Sequence, residues 1–166
     1  MADDFRVHLA ASLGWRWTSG TVTDEGQRTC EQSFSRGSGA AQAEAIWTDT
    51  EAVLAAGTPR VLDLTALERP LFGDFLLSIL ASVKGLWIVN HSGSGALSVG
   101  AAGQSEWSAP FAASGQALQV PPQGVLVLCH PGVGWTVDGS HCKLQLAADE
   151  GSITYSIAIV GTLAAS

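Results

Sequence analysis

Leu86-Trp87-Ile88-Val89-Asn90, Leu97-Ser98-Val99-Gly100, Val125-Leu126-Val127-Leu128, Lys143-Leu144-Gln145-Leu146 and Ile153-Thr154-Tyr155-Ser156-Ile157-Ala158-Ile159 are the runs that decide the fold. Each is short and apolar or alternating. Gly, Pro, Asn and Asp break the chain between them, as in Val120-Pro121-Pro122-Gln123-Gly124 before the aliphatic run at Val125. Trp135-Thr136-Val137 adds one more such run. This spacing predicts an all-β chain folded as an antiparallel β-sandwich, jelly-roll-like, rather than the α/β core of many enzymes.

Moving toward the N-terminus, the pattern loosens. Phe5-Arg6-Val7-His8-Leu9 and Trp15-Arg16-Trp17 alternate as half-buried strands do. Between Thr18 and Ala45 the composition shifts to Gly, Ser, Gln, Thr and Asp, which reads as a long loop that a partner could order. Ser35-Arg36-Gly37-Ser38-Gly39-Ala40 has the character of a flexible segment, and residues 41–45 could add a helical turn. The expected organisation is therefore an irregular N-terminal extension or arm over 1–45 and a sandwich domain over 46–166. Within the latter, Ile46-Trp47-Thr48 and Arg60 to Thr65 read as strands. Ala66 to Asp74 reads as a turn or short helix broken at Pro70, and Phe75 to Leu80 as a strand.

Composition narrows the partners. The 166 residues carry a net charge of −7 with eight scattered basic residues, which disfavours a phosphate-binding surface for nucleic acid. Charged residues make up 14% of the chain and hydrophobic ones 46%, a balance suited to a surface partly covered by other subunits. The apolar stretch from Leu76 to Val89 is interrupted by Ser78, Ser82, Lys84 and Gly85 and is too short to span a bilayer, so no membrane partner is expected. Met1 to Arg6 lacks the basic-then-apolar pattern of an export signal. Cys30, Cys129 and Cys142 form no C-x-x-C pair, so synthesis in the cytoplasm with reduced thiols is the expectation.

No catalytic residues, cofactor site or metal site are expected. Cys129-His130 and His141-Cys142 are the one cluster with ligand chemistry, but neighbours in a strand point to opposite faces, so at most one of each pair could face a shared ion. Small buried cysteines and histidines at strand ends are the simpler reading. Cys30 has Arg28 nearby but no histidine to activate it. Glu106, Asp138, Asp149 and Glu150 sit between strands as loop acids. Of the tryptophans, Trp87 is read as core, while Trp15, Trp17, Trp47, Trp107 and Trp135 are candidates for a partner-binding surface.

One resemblance sharpens this. Lys84-Gly85-Leu86, Trp87 to Asn90, Leu97-Ser98-Val99, Val120 to Gly124, Gly134-Trp135-Thr136-Val137 and Tyr155-Ser156-Ile157-Ala158-Ile159-Val160-Gly161 follow one another in an order that resembles small virion proteins of tailed phages. The resemblance covers about half the chain and is a pattern of strands and turns. It implies a jelly-roll-like, non-enzymatic structural subunit that decorates the capsid or belongs to the tail or a fibre. Its partners would be itself, as a homo-oligomer such as a trimer, and other virion proteins. The alternative is a carbohydrate-binding module that stacks glycans on exposed tryptophans. A cupin-like or glycosidase-type enzyme is a third reading, weakened by the lack of a His-x-His motif.

Overall fold

The computed structural model describes residues 5–71 and 74–165, and strands make up most of it. β1 (Arg6–Ser19) and β2 (Val22–Arg36) pair along their whole length as one antiparallel hairpin, and β3 (Gln42–Ala43) runs parallel to the end of β2. β4 (Ala45–Leu54) and β5 (Arg60–Asp63) enter the sandwich, and a small hairpin of β6 (Leu67–Leu71) and β7 (Asp74–Ser78) follows. The sandwich continues with β8 (Leu80–Asn90), β9 (Leu97–Gly100), β10 (Ala117–Val120), β11 (Val125–Cys129), the two-residue β12 (Trp135–Thr136), β13 (Lys143–Ala148) and β14 (Ile153–Leu163).

Two four-stranded sheets result, in the orders β11-β8-β14-β4 and β10-β9-β13-β5, with β12 added alongside β8. The antiparallel pairs nest: β4 with β14, β5 with β13, β8 with β11 and β9 with β10. A ribbon of paired strands has thus been rolled so that, with the short β12 set aside, successive sandwich strands change sheet everywhere except between β9 and β10. That is the jelly-roll order.

Alternation explains the core. Leu86 and Ile88 of β8, Ile153, Tyr155, Ile157 and Ile159 of β14, and Trp47 of β4 point inward from the first sheet. Leu62, Leu97, Val99, Leu144 and Leu146 meet them from the second. Trp107 and Phe111, carried by the β9–β10 connection, close one end with edge-to-face rings 6.2 Å apart. At the opposite margin the Arg60 guanidinium donates to Asp49 Oδ2 (2.5 Å) and to the Tyr155 hydroxyl (2.8 Å), with its carbon 6.0 Å from the Trp47 ring centre. Arg60 lies on the second sheet and its three partners on the first, so this cluster pins the sheets where β4 and β5 meet.

Asn90 does similar work at the end of β8. Its fully buried amide donates to the carbonyls of Gly95 and Val120, and its oxygen accepts from the N–H of Ser92. The strand cannot continue past this point because its last side chain is spent on the turn that follows.

Several sequence expectations change here. The segment from Thr18 to Ala45 is not a long loop: Val22–Arg36 is a strand, and residues 41–45 contain a strand pair rather than a helical turn. Apart from Phe34 at its root, β2 packs on little and needs no apolar alternation, so the usual strand signal is missing. Leu67–Leu71 is a strand too, with Pro70 placed in a two-stranded hairpin whose edges are open. Trp87 is half-buried on the outer face of its sheet, because Leu86 and Ile88 take the inward positions. Residues 1–4, which bear on the export reading, and Phe72 and Gly73 of the expected turn lie outside the described residues.

Two outcomes follow from these bonds. Asn90→Ala leaves buried turn groups unpaired, and urea titration should show a loss of about 1–3 kcal/mol with an unchanged slope. The Thr65 hydroxyl and N–H, which donate to Asp63 Oδ1, hold the Asp63 carboxyl below the ordinary carboxylate range, opposed by its partial burial and helped by Lys143. Because the folded value lies below the unfolded one, this stabilisation is present above pH ~4 and fades as pH falls through the folded value. Asp63→Asn should therefore remove part of the acid dependence of the melting temperature below that pH.

Candidate functional site

The β1–β2 hairpin is the part of the molecule that the sandwich does not need for its own core. Its strands span roughly 45 Å at the usual rise per residue. Phe5, Val7, Leu9, Ala11, Leu13, Trp15 and Trp17 alternate with polar residues, so they share one face of β1. Residues directly opposite on β2 share that face: Phe34 beside Val7, Gln32 beside Leu9, Cys30 beside Ala11, Arg28 beside Leu13 and Gly26 beside Trp15. The tip is a two-residue turn in which Gly20 holds a φ of +61°, the position that type II′ hairpin turns reserve for glycine.

Only the root of this face is covered. Phe5, Val7 and Leu9 pack with Phe34, Ala43, Ile46 and Val160 into a second, smaller core on the outer side of the first sheet. Gly85 makes the close approach possible, since a Cβ there would stand 2.6 Å from Leu9 Cδ1. Lys84 fastens the chain after the hairpin: its buried ammonium donates to the carbonyls of Ser38 and Gly39 at 3.2 and 2.5 Å. Burial draws the Lys84 ammonium below the ordinary lysine range, with Glu44 opposing. The N–H of Ala41 donates to the Pro131 carbonyl at 2.7 Å. The hairpin is therefore anchored at its base against β8, β11 and β14.

Beyond Ala11 the same apolar face runs on without a cover. Leu13 is 65% exposed, Trp15 39%, Trp17 59% and Val22 61%. Trp15 is partly sheltered because its ring lies over Gly26 of the opposite strand and its indole N–H donates to Asp24 Oδ2 at 3.3 Å. Such an aromatic on a cross-strand glycine stiffens the ribbon. Arg16 pairs with Glu25 and His8 with Glu31 on the other, polar face. The arrangement can present a stiff apolar ribbon edge to another surface. On the polar face His8 also stands beside Ser33, its Nδ1 3.1 Å from the Ser33 hydroxyl, and both line a shallow open cleft at the root of the arm.

The other candidate residues are scattered. Trp47 (4% exposed) and Trp107 (1%) lie in the core, with their indole N–H groups spent on the carbonyls of Glu68 and Thr136, so neither shows a ring face to a partner. Trp135 is half-buried, its edge toward Trp107 at 6.3 Å and His130 at 5.3 Å. Trp15 and Trp17 alone stand out on the arm. Cys142 is buried in the core as expected, whereas Cys129, also read as a small buried residue, is exposed on the outer face of the first sheet because Leu126 and Leu128 take the inward positions. His141 sits in its own turn, 3.2 Å from Asp138. Among the described residues no three His, Cys, Asp or Glu side chains gather as a metal site. Glu106, expected as a loop acid in solvent, is buried and accepts from the Ala101 N–H, the Ser114 hydroxyl and the Gly115 N–H. It organises the β9–β10 connection.

The root contacts carry a direct test. Lys84→Met removes two buried hydrogen bonds, and should cost about 1–3 kcal/mol in a denaturant titration. Limited proteolysis should then cut faster between Arg36 and Ala41 than in the parent protein, while the core strands stay protected.

No protein-family model matches this chain, and no curated protein matches it, so the reading of the arm rests on its own geometry.

Proposed function

We propose that this chain is a non-enzymatic assembly subunit of a phage particle, in the capsid's decoration, the tail or a fibre, and that the β1–β2 arm is its contact element. The observation that carries the reading is the uncovered apolar stretch Leu13, Trp15, Trp17 and Val22 at the far end of a stiffened ribbon. Exposed aromatic and aliphatic side chains held in one row mark interaction surfaces, because water solvates them poorly and the hairpin has already lost the conformational freedom that binding would otherwise cost. A solvated arm would be polar on both faces. This one is polar on one face only.

Charge supports a second copy of the chain as one partner. The arm holds Arg6, Arg16, Arg28 and Arg36, four of the eight basic residues, beside three acids, while the whole chain is at −7. A slightly basic arm thus projects from an acidic body, and such complementarity favours the meeting of like subunits. The virion assignment draws on the order of strand and turn motifs from Lys84 to Gly161. The glycan-binding reading keeps Trp17 and the partly covered Trp15 as its support, without the wider platform that five exposed rings would have made.

Light scattering coupled to size exclusion tests the reading. The parent protein should run as a defined homo-oligomer. The double variant Leu13→Ser and Trp17→Ser should dissociate at least about tenfold more readily, as expected for loss of interface anchors, with an unchanged melting temperature. A monomer at all concentrations that binds neither like subunits nor particles, yet changes tryptophan fluorescence on adding a glycan, would sink the assembly reading and favour the other.

A further inference from the structure

Two of the three cysteines face one another across the gap between arm and body. Cys30 lies on β2 opposite Ala11, so its side chain shares the face that carries Leu9 down onto the sheet. Cys129 ends β11 opposite Gly85 and lies on the outer side of the first sheet, since its neighbour Leu128, like Leu126, turns toward the core. The two thiols enter a small cleft of about 190 Å³ from opposite walls. Leu9, Ala11, Val127 and Pro131 complete most of its lining. Both cysteines are solvent-exposed, and no disulfide joins them in this structure.

We propose that Cys30 and Cys129 are a modification site: a dithiol pair that closes to a disulfide and clamps the arm to the sandwich.

The surroundings suit this chemistry. The glycine at position 85 already lets the arm approach the sheet closely, with Leu9 seated over it. The hairpin is held at its root and free beyond Ala11, so a slight closing motion brings β2 toward β11 without disturbing the sandwich. Burial, with Cys30 as a further contribution, pushes the Cys129 thiol up. A raised thiol holds less thiolate at neutral pH, so in the proposed exchange Cys129 takes the second, resolving step.

The electron balance is that of thiol–disulfide exchange with a small-molecule disulfide. The Cys30 thiolate attacks one sulfur of that disulfide, breaks its S–S bond and releases one small thiolate. The Cys129 thiolate then attacks Cys30 Sγ in the mixed disulfide and expels the second small thiolate. Two protein thiols are oxidised, the small disulfide is reduced to two thiols, and the two protons go to solvent or to the leaving thiolates. A closed clamp would fix the direction in which Leu13 and Trp17 are presented. The inference does not depend on the assembly reading, because the bond forms within one chain.

The experiment uses the full chain, fully reduced and then held in oxidised glutathione at a concentration low enough to keep it monodisperse. Expected is the loss of two hydrogens in intact mass, a non-reduced digest that joins the Cys30 and Cys129 peptides, and slower proteolysis of the arm. Cys142, buried in the core, should stay free, and Cys142→Ser should leave the Cys30–Cys129 cross-link unchanged. Cys30→Ser and Cys129→Ser each alter one exposed residue, and each should abolish the cross-link and leave the remaining thiol as a glutathione adduct. Glutathione adducts on both cysteines of the parent protein, or a Cys30–Cys30 link between two chains in place of the internal bond, would overturn the proposal. Failure of the chain to oligomerise would leave it standing.

Discussion

β14 is hydrogen-bonded to β8 along one side and to β4 along the other, and both of its faces have to be covered. Ile153, Tyr155, Ile157 and Ile159 point into the space between the sheets, whereas Ser156, Val160 and Thr162 point out of it and are buried all the same. A solvated jelly roll would leave that outer face to water. Here His91 and Ser156 close one part of it, Ser82 and Thr162 another, and the root of the arm lies on Val160. The strand must therefore bend as well as pair. Its irregularities fall near Tyr155 and beyond Val160, and at Gly161 a side chain would collide with the Ser82 carbonyl.

From that requirement the placement of the arm follows. The outer face near Val160, Gly85 and Ile46 is apolar and shallow, so the first turn of alternation in β1, Phe5, Val7 and Leu9, finds a seat there. The seat is short. It holds the first residues of a fourteen-residue strand and leaves the remainder beyond the edge of the sheet. The ribbon keeps its form past that edge because its backbone bonds are internal to the hairpin, with Trp15 stacked on Gly26 and charged pairs on the polar side. A two-stranded ribbon is marginal alone in water, so anchoring by Lys84 and by the Ala41–Pro131 bond is what makes a projecting element feasible.

Several polar side chains in this fold end strands or bridge sheets. Asn90, Glu106 and Asp63 each satisfy the N–H groups of a turn, and Arg60 ties two sheets through Asp49 and Tyr155. Each is committed to a partner in the folded chain. The uncovered apolar row lies on the arm and the two thiols lie between arm and body, which is why both proposals converge on that element.

The sandwich was legible because its strands are short, half-buried and separated by turn residues, so alternation and Gly or Pro punctuation report directly on pairing. Asn90 and the Val120 to Gly124 turn, read as strand boundaries, are where the sheets do end. The arm was legible by halves. β1 announces itself by alternation over Phe5 to Trp17, but β2 is mostly polar and looks like a loop, since only its pairing with β1 makes it a strand. Among the tryptophans the local pattern could not say which alternate set of an apolar run faces inward. That choice depends on the opposing sheet, and it placed Trp47 and Trp107 in the core and Trp87 outside. The cleft shared by Cys30 and Cys129 lies further still from the sequence. Residues ninety-nine positions apart line one cleft only when β14's outer face draws the arm down beside β11, a long-range placement that no local periodicity encodes.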